Sequence, residues 1–151
     1  SQAMLKKAEE TLKESPLPCE MMEADLNKDL SITQASVVVM NYTLQFVQPA
    51  NRKIILETIY NGLVPGGSLV LIEKVESKIP NLNKTFIEFH HQFKEEKGYS
   101  KLEISQKREA LENVLIPWTV EQNKDHLQSA GFSTIDFFFK WNNFAGFIAL
   151  K

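Results

Sequence analysis

Apolar residues recur along this chain with two periods, and the alternation between them predicts its elements. Ala3, Met4, Leu5, Ala8 and Leu12 fall near i, i+4, i+8 spacing among lysines and glutamates, which predicts a helix over 2–14. Ser15-Pro16-Leu17-Pro18 stops it. Cys19 to Ala24 reads as a short strand ending at Asp25. Ser36-Val37-Val38-Val39-Met40 reads as a second strand, rich in β-branched residues and ending at Asn41. Ala50 to Asn61 reads as a helix with Ile55, Ile59 and Leu63 on one face, ending at Gly62. Pro65 and Gly66 then suit the two central positions of a tight turn. Leu69 to Lys74 follows as a strand with so little alternation that burial on both faces is expected, as in a helix-covered sheet.

Helical periodicity takes over after residue 78. Leu82 to Lys97 reads as a helix with Phe86, Phe89, His90 and Phe93 close to one face, broken by Gly98. Lys101 to Val114 reads as a second, with Ile104, Leu111 and Val114 on one stripe. Thr119 to Ala130 reads as a third, opened by a capping-box pattern of Thr119 and Gln122 and closed by Gly131. Ile135 to Trp141 and Phe144 to Leu150 read as two strands of a hairpin turning at Asn142-Asn143. The expectation is one domain over 1–151, with a helical insertion at about 78–117. Alternating helices and strands make the fold class α/β, a mostly parallel sheet closed by a C-terminal antiparallel hairpin. That ending is shared by the Rossmann-like methyltransferase fold.

Two features look absent. Ser36 to Met40 reads as a central strand, yet the chain offers it one obvious parallel neighbour, Leu69 to Lys74, with Cys19 to Ala24 as a possible second. No Gly-rich turn opens a helix. Gly66-Gly67 precedes a strand and so cannot cradle a phosphate or cofactor. The chain therefore reads as the C-terminal part of a nucleotide-cofactor domain whose first strands lie upstream. The alternative is a small α/β domain complete with four or five strands.

Composition narrows the function classes. The chain has 151 residues, enough for one core. Its 43% hydrophobic and 24% charged residues are ordinary for a globular protein. No apolar run approaches the ~20 residues that span a bilayer. The N-terminus reads as a polar helix rather than a leader, so a cytoplasmic location without membrane association is expected. The single Cys19 fits a reducing compartment. The net charge of -2, with acids and bases interleaved, offers no basic stripe for a phosphate backbone, so direct tight nucleic-acid binding is not expected. His90-His91 point about 100° apart on a helix and lack the i, i+4 spacing of a helical zinc site, so no metal is expected. One of the two is expected to be partly packed and the other exposed. Phe137-Phe138-Phe139 reads as a strand at a core or dimer interface rather than a base-stacking platform.

A specific resemblance rests on four stretches. They are Val38 to Phe46, Leu63-Val64-Pro65-Gly66-Gly67, His90-His91-Gln92-Phe93-Lys94, and above all Gly98 to Arg108 with Leu111-Glu112-Asn113-Val114. Together they resemble the carboxy-S-adenosyl-L-methionine synthase family of the S-adenosylmethionine-dependent methyltransferase superfamily, from about Ser1 to Lys151. The resemblance implies conversion of S-adenosylmethionine and prephenate to carboxy-S-adenosylmethionine and phenylpyruvate. It implies a product used by a partner enzyme for tRNA wobble-uridine modification, and a homodimer. Asp25 and Leu26 match the position contacting the adenine end of the cofactor. Asn41 matches a further cofactor contact. Arg108 matches the arginine that binds the carboxyl carried on the sulfonium, and is the candidate catalytic residue. The family's aromatic residue, Gly-rich loop and ribose-binding acid have no counterpart here; Ser1-Gln2-Ala3-Met4 corresponds to the segment directly after that acid.

Residue chemistry supports these assignments to different degrees. Asp25 and Asn41 both end strands, on the side where open α/β sheets bind ligands. A carboxylate can accept from an exocyclic amine, and an amide both donates and accepts. By pattern alone each could equally be a turn residue. Arg108 by pattern alone sits on a solvated helix face; its case is that a guanidinium grips a carboxylate through two parallel hydrogen bonds. Two other functions stay open. One is an ordinary S-adenosylmethionine-dependent methyltransferase, although Asn41-Tyr42-Thr43-Leu44 lacks the prolines of the Asn-Pro-Pro-aromatic motif. The other is an inactive fragment acting only as an oligomerising core.

Overall fold

In the computed structural model, residues 2–28 and 30–151 are described; Ser1, the first residue of the matched segment, lies outside them. The chain divides into two compact units, 1–30 and 31–151. The first holds helix α1 (Gln2–Leu12), followed by irregular chain. The strand expected over Cys19 to Ala24 is not formed. A strand needs a partner to satisfy its backbone, and among the described residues none pairs there. Met22 is correspondingly exposed.

The second unit is built on a mixed sheet. Strand β1 (Ala35–Asn41) runs parallel to β2 (Leu63–Glu76), with Met40 opposite Leu71 and Asn41 opposite Ile72. On its other side β2 pairs antiparallel with β5 (Phe144–Leu150), which pairs antiparallel with β4 (Thr134–Trp141). The short β3 (Trp118–Thr119) lies parallel to the end of β2. The order is β1-β2-β5-β4. The terminal hairpin thus forms over the expected residues, turning at Asn142 with φ 46°. The central position belongs to β2. β1 instead lies at the sheet's margin among the described residues, leaving Val37 and Val39 more than half exposed because no second neighbour covers them.

Helix α2 (Pro49–Gly62) opens with proline at its first turn, where a missing N–H costs nothing. It buries Ile55, Leu56 and Ile59 against β2, whose Leu69, Leu71 and Val75 point to the same core. The other face of β2 is half covered rather than fully buried. The tight turn expected at Pro65-Gly66 is instead taken up within β2, where Gly66 has φ 77° at the register shift between the Ala35–Leu63 and Val37–Ser68 pairs. Helices α3 (Pro80–Glu96) and α4 (Lys101–Leu111) follow, separated at Gly98 with φ 90°. Ser100 and Glu103 form a reciprocal capping box at the start of α4. Helix α5 (Val120–Ser129) has the expected box between Thr119 and Gln122. It ends at Gly131, where φ 114° and the Tyr60 ring, 2.9 Å from any added Cβ, both demand glycine.

Candidate active site

The chain leaves β1 through a short loop that two buried charges hold in place. Glu73 on β2 is 2% exposed. Its carboxylate accepts from the backbone N–H groups of Thr43, Leu44 and Gln45 at 2.9–3.1 Å, capping the 3-10 turn Leu44–Phe46. Burial pushes its pKa up, opposed by those three hydrogen bonds and by Arg52. Arg52 is equally buried and donates to the carbonyls of Val47, Gln45 and Ile116. Its guanidinium lies 4.3 Å from the Trp118 ring centroid. Gln45 completes the frame by accepting from the backbone N–H of Lys74. Asn41 enters this loop at the carboxyl end of β1. Its residue is exposed, and its side-chain amide has no hydrogen-bond partner among the described residues. It is therefore available to a ligand on the side where such sheets bind cofactors.

A cavity of about 480 Å³ opens among β2, α3 and α4. Lys74, Lys94, Lys107 and Arg108 line it, with His90 and His91 between them. Its apolar wall includes Ile87, Ile104, Leu111 and Leu115. Burial, then Lys94 and Arg108, holds the Lys74 pKa down. Burial and Lys107 act likewise on Lys94. His90 is lowered to about 4 by burial, Lys94, Lys74 and His91. His90 packs on Phe144 with ring centroids 5.0 Å apart, and its Nδ1 is buried without a partner. Both histidines are half-buried, unlike the expected pair of one packed and one exposed. Among the described residues no cluster of three or more His, Cys, Asp or Glu is arranged to hold a metal.

The expected site residues therefore occupy different settings. Arg108 is exposed on α4 and lines the basic cavity, while Asn41 lies at the end of β1 and is not part of the cavity wall. Asp25 and Leu26 belong to the first unit. There the Asp25 carboxylate accepts from the backbone and side-chain nitrogens of Asn27 and pairs with Lys28 at 3.4 Å. Those Asn27 bonds hold its pKa below the usual carboxylate range. It is thus a turn residue whose ionised, exposed carboxylate retains accepting capacity for an adenine amine. Sequence reasoning missed Lys74, Lys94, Glu73 and Arg52. The available signal was the charged pair Glu73-Lys74 closing an apolar strand at its ligand-binding end.

A methyltransferase domain model matches residues 1–71. The carboxy-S-adenosyl-L-methionine synthase of Methylococcus capsulatus is 47% identical over 87% of this chain and 54% of its own length. That of Trichlorobacter lovleyi is 46% identical over 100% of this chain and 63% of its own. That of Salmonella paratyphi C is 46% identical over 91% and 55%. The chain thus spans a little over half the length of the curated relatives it matches. Solved structures share the fold at low identity. An O-methyltransferase family 2 protein from Planctomyces limnophilus, in complex with apigenin, gives a TM-score of 0.66 at 16% identity, over 97% of this chain and 39% of that one. Human N-acetylserotonin methyltransferase in complex with S-adenosylmethionine gives 0.55 at 21%, over 94% and 37%. The chain has the fold of S-adenosylmethionine-dependent methyltransferases and is a homologue of the carboxy-S-adenosyl-L-methionine synthases.

Proposed function

We propose that the protein carrying this chain converts S-adenosylmethionine and prephenate to carboxy-S-adenosylmethionine, phenylpyruvate and water. The observation that carries this reading is Arg108 on the wall of a cation-rich cavity, within a chain 46–47% identical to such synthases. A transferred methyl group offers a guanidinium nothing to bind; a carboxylated sulfonium presents an anion that a guanidinium holds bidentately. Asn41 and Asp25 fit the cofactor chemically, one as a free amide at a strand end and the other as an ionised acceptor. In this reading Asp25 and Leu26 meet the adenine end, Asn41 a further part of the cofactor, and Arg108 the transferred carboxyl. The protein works as a cytoplasmic homodimer whose product feeds tRNA wobble-uridine modification.

The test incubates the full-length protein with both substrates and follows cofactor and keto acid by mass spectrometry. Carboxylated cofactor and phenylpyruvate are expected in equal amounts. Formation of S-adenosylhomocysteine instead would assign ordinary methyl transfer. Arg108→Ala is expected to weaken carboxy-S-adenosylmethionine binding by about tenfold or more, with S-adenosylmethionine binding little changed. Equal losses would remove Arg108 from that role.

A further inference from the structure

The basic cavity contains more positive charge than one carboxyl on the cofactor requires. Lys74 comes from β2, Lys94 from α3 and Arg108 from α4, so three separate elements bring cations to one wall. None of the three has an ion-pair partner among the described residues. Glu109 and Glu112 also line the cavity, yet neither pairs with these cations, and Glu109 instead accepts from the Ser105 hydroxyl. Partly buried, unpaired ammonium groups that repel one another are unfavourable unless an anion joins them. Two lysines on different elements suit two separate anionic groups better than one. The apolar wall of Ile87, Leu111 and Leu115 suits a hydrocarbon body between them. Lys74 lies two residues beyond Ile72, the register partner of Asn41, so the cavity begins beside the strand ends where the cofactor is proposed to bind.

We propose that Lys74 and Lys94 form, beside Arg108, a carboxylate-binding subsite that takes a compact cyclic dicarboxylate. Identifying that ligand as the co-substrate prephenate rests on the carboxy-transfer reading; anion binding itself does not. In this arrangement the lysines grip the co-substrate and leave the guanidinium to the carboxyl bound for the cofactor.

Binding and turnover test it separately in the full-length protein. Malonate, a small dicarboxylate, is titrated while the imidazole NMR signals of His90 and His91 are followed. Those signals are expected to move, and acetate is expected to bind about tenfold or more weakly. Lys74→Gln and Lys94→Gln are each expected to weaken malonate about tenfold, while Lys94→Arg retains it. In turnover the same Gln variants are expected to raise the KM for prephenate about tenfold, with S-adenosylmethionine affinity held within about twofold. No response to malonate, equal response to acetate, or wild-type malonate affinity in both Gln variants would overturn the subsite. Prephenate KM and cofactor Kd rising in step would also overturn it. A wild-type protein that binds malonate as expected but makes no carboxylated cofactor would sink the carboxy-transfer reading and leave the subsite standing.

Discussion

Glu73 and Arg52 show how single buried charges set the position of a functional loop. Glu73 satisfies three backbone donors at once, and Arg52 satisfies the loop carbonyls of Gln45 and Val47 together with that of Ile116. Glu73→Ala would orphan those donors and leave Arg52 buried without its counter-charge. The expected cost is about 3 kcal/mol in chemical denaturation, with loosening of the Asn41 loop visible as faster amide exchange at Leu44 and Gln45. His90 sets a pH dependence. Its folded pKa of about 4 lies below the ordinary 6.5, so between these values the unfolded chain binds the extra proton. Stability from this group is present above pH 6.5 and is lost as pH falls toward 4. His90→Phe, compared with wild type by denaturation at pH 7 and 4.5, is expected to show a smaller acid loss. The packing of His90 was legible in the helical spacing it shares with Phe86, Phe89 and Phe93; the role of the Glu73 and Arg52 pair was not. Nothing local to Arg52 signals that its guanidinium turns inward to three carbonyls.

Elements were legible wherever a local rule decides them. The Thr119–Gln122 box, the glycine stops at Gly98 and Gly131, and the turn at Asn142 each follow from backbone chemistry within four residues. Thr119→Ala is expected to cost about 1 kcal/mol, read as a lower midpoint in urea with an unchanged slope. Elements that depend on a distant partner were not legible. The apolar content of Cys19 to Ala24 suits a strand, but pairing decides a strand, and no neighbour pairs with it. The helix expected to reach Val114 stops at Leu111, after which Asn113 takes φ 61°. The basic cavity has the same cause: Lys74 and Lys94 lie twenty residues apart and meet only through the packing of α3 and α4 beside β2.

At the scale of the whole molecule, the sheet ends in two apolar margins. β1 presents Val37 and Val39, and β4 presents Phe137, Phe138 and Phe139. Unpaired backbone flanked by such side chains is a template for another strand. A polypeptide of these 151 residues is therefore expected to self-associate as its concentration rises. Val39→Lys should reduce that association in static light scattering; an unchanged scattering mass would place the contact elsewhere. The strand pattern foretold this in part, since Ser36 to Met40 reads as a strand wanting two neighbours and has one. The fold class was legible because the parallel pair β1–β2 and the closing hairpin each have their own pattern. The parallel and antiparallel parts were both expected; what only pairing reveals is that β2 is the strand that divides them.

The sandwich of Arg52, Trp118 and His126 has an optical consequence. Trp118 is 8% exposed, with the guanidinium 4.3 Å from its ring and the His126 imidazole stacked parallel at 3.9 Å. The other tryptophan, Trp141, is 38% exposed on the β4–β5 hairpin. The two indoles therefore fluoresce from unlike surroundings: Trp118 is stacked on His126, whereas Trp141 meets His90 edge-on with centroids 6.5 Å apart. Emission colour can thus distinguish loosening around Arg52 and α5 from fraying of the hairpin, without any label added to the protein.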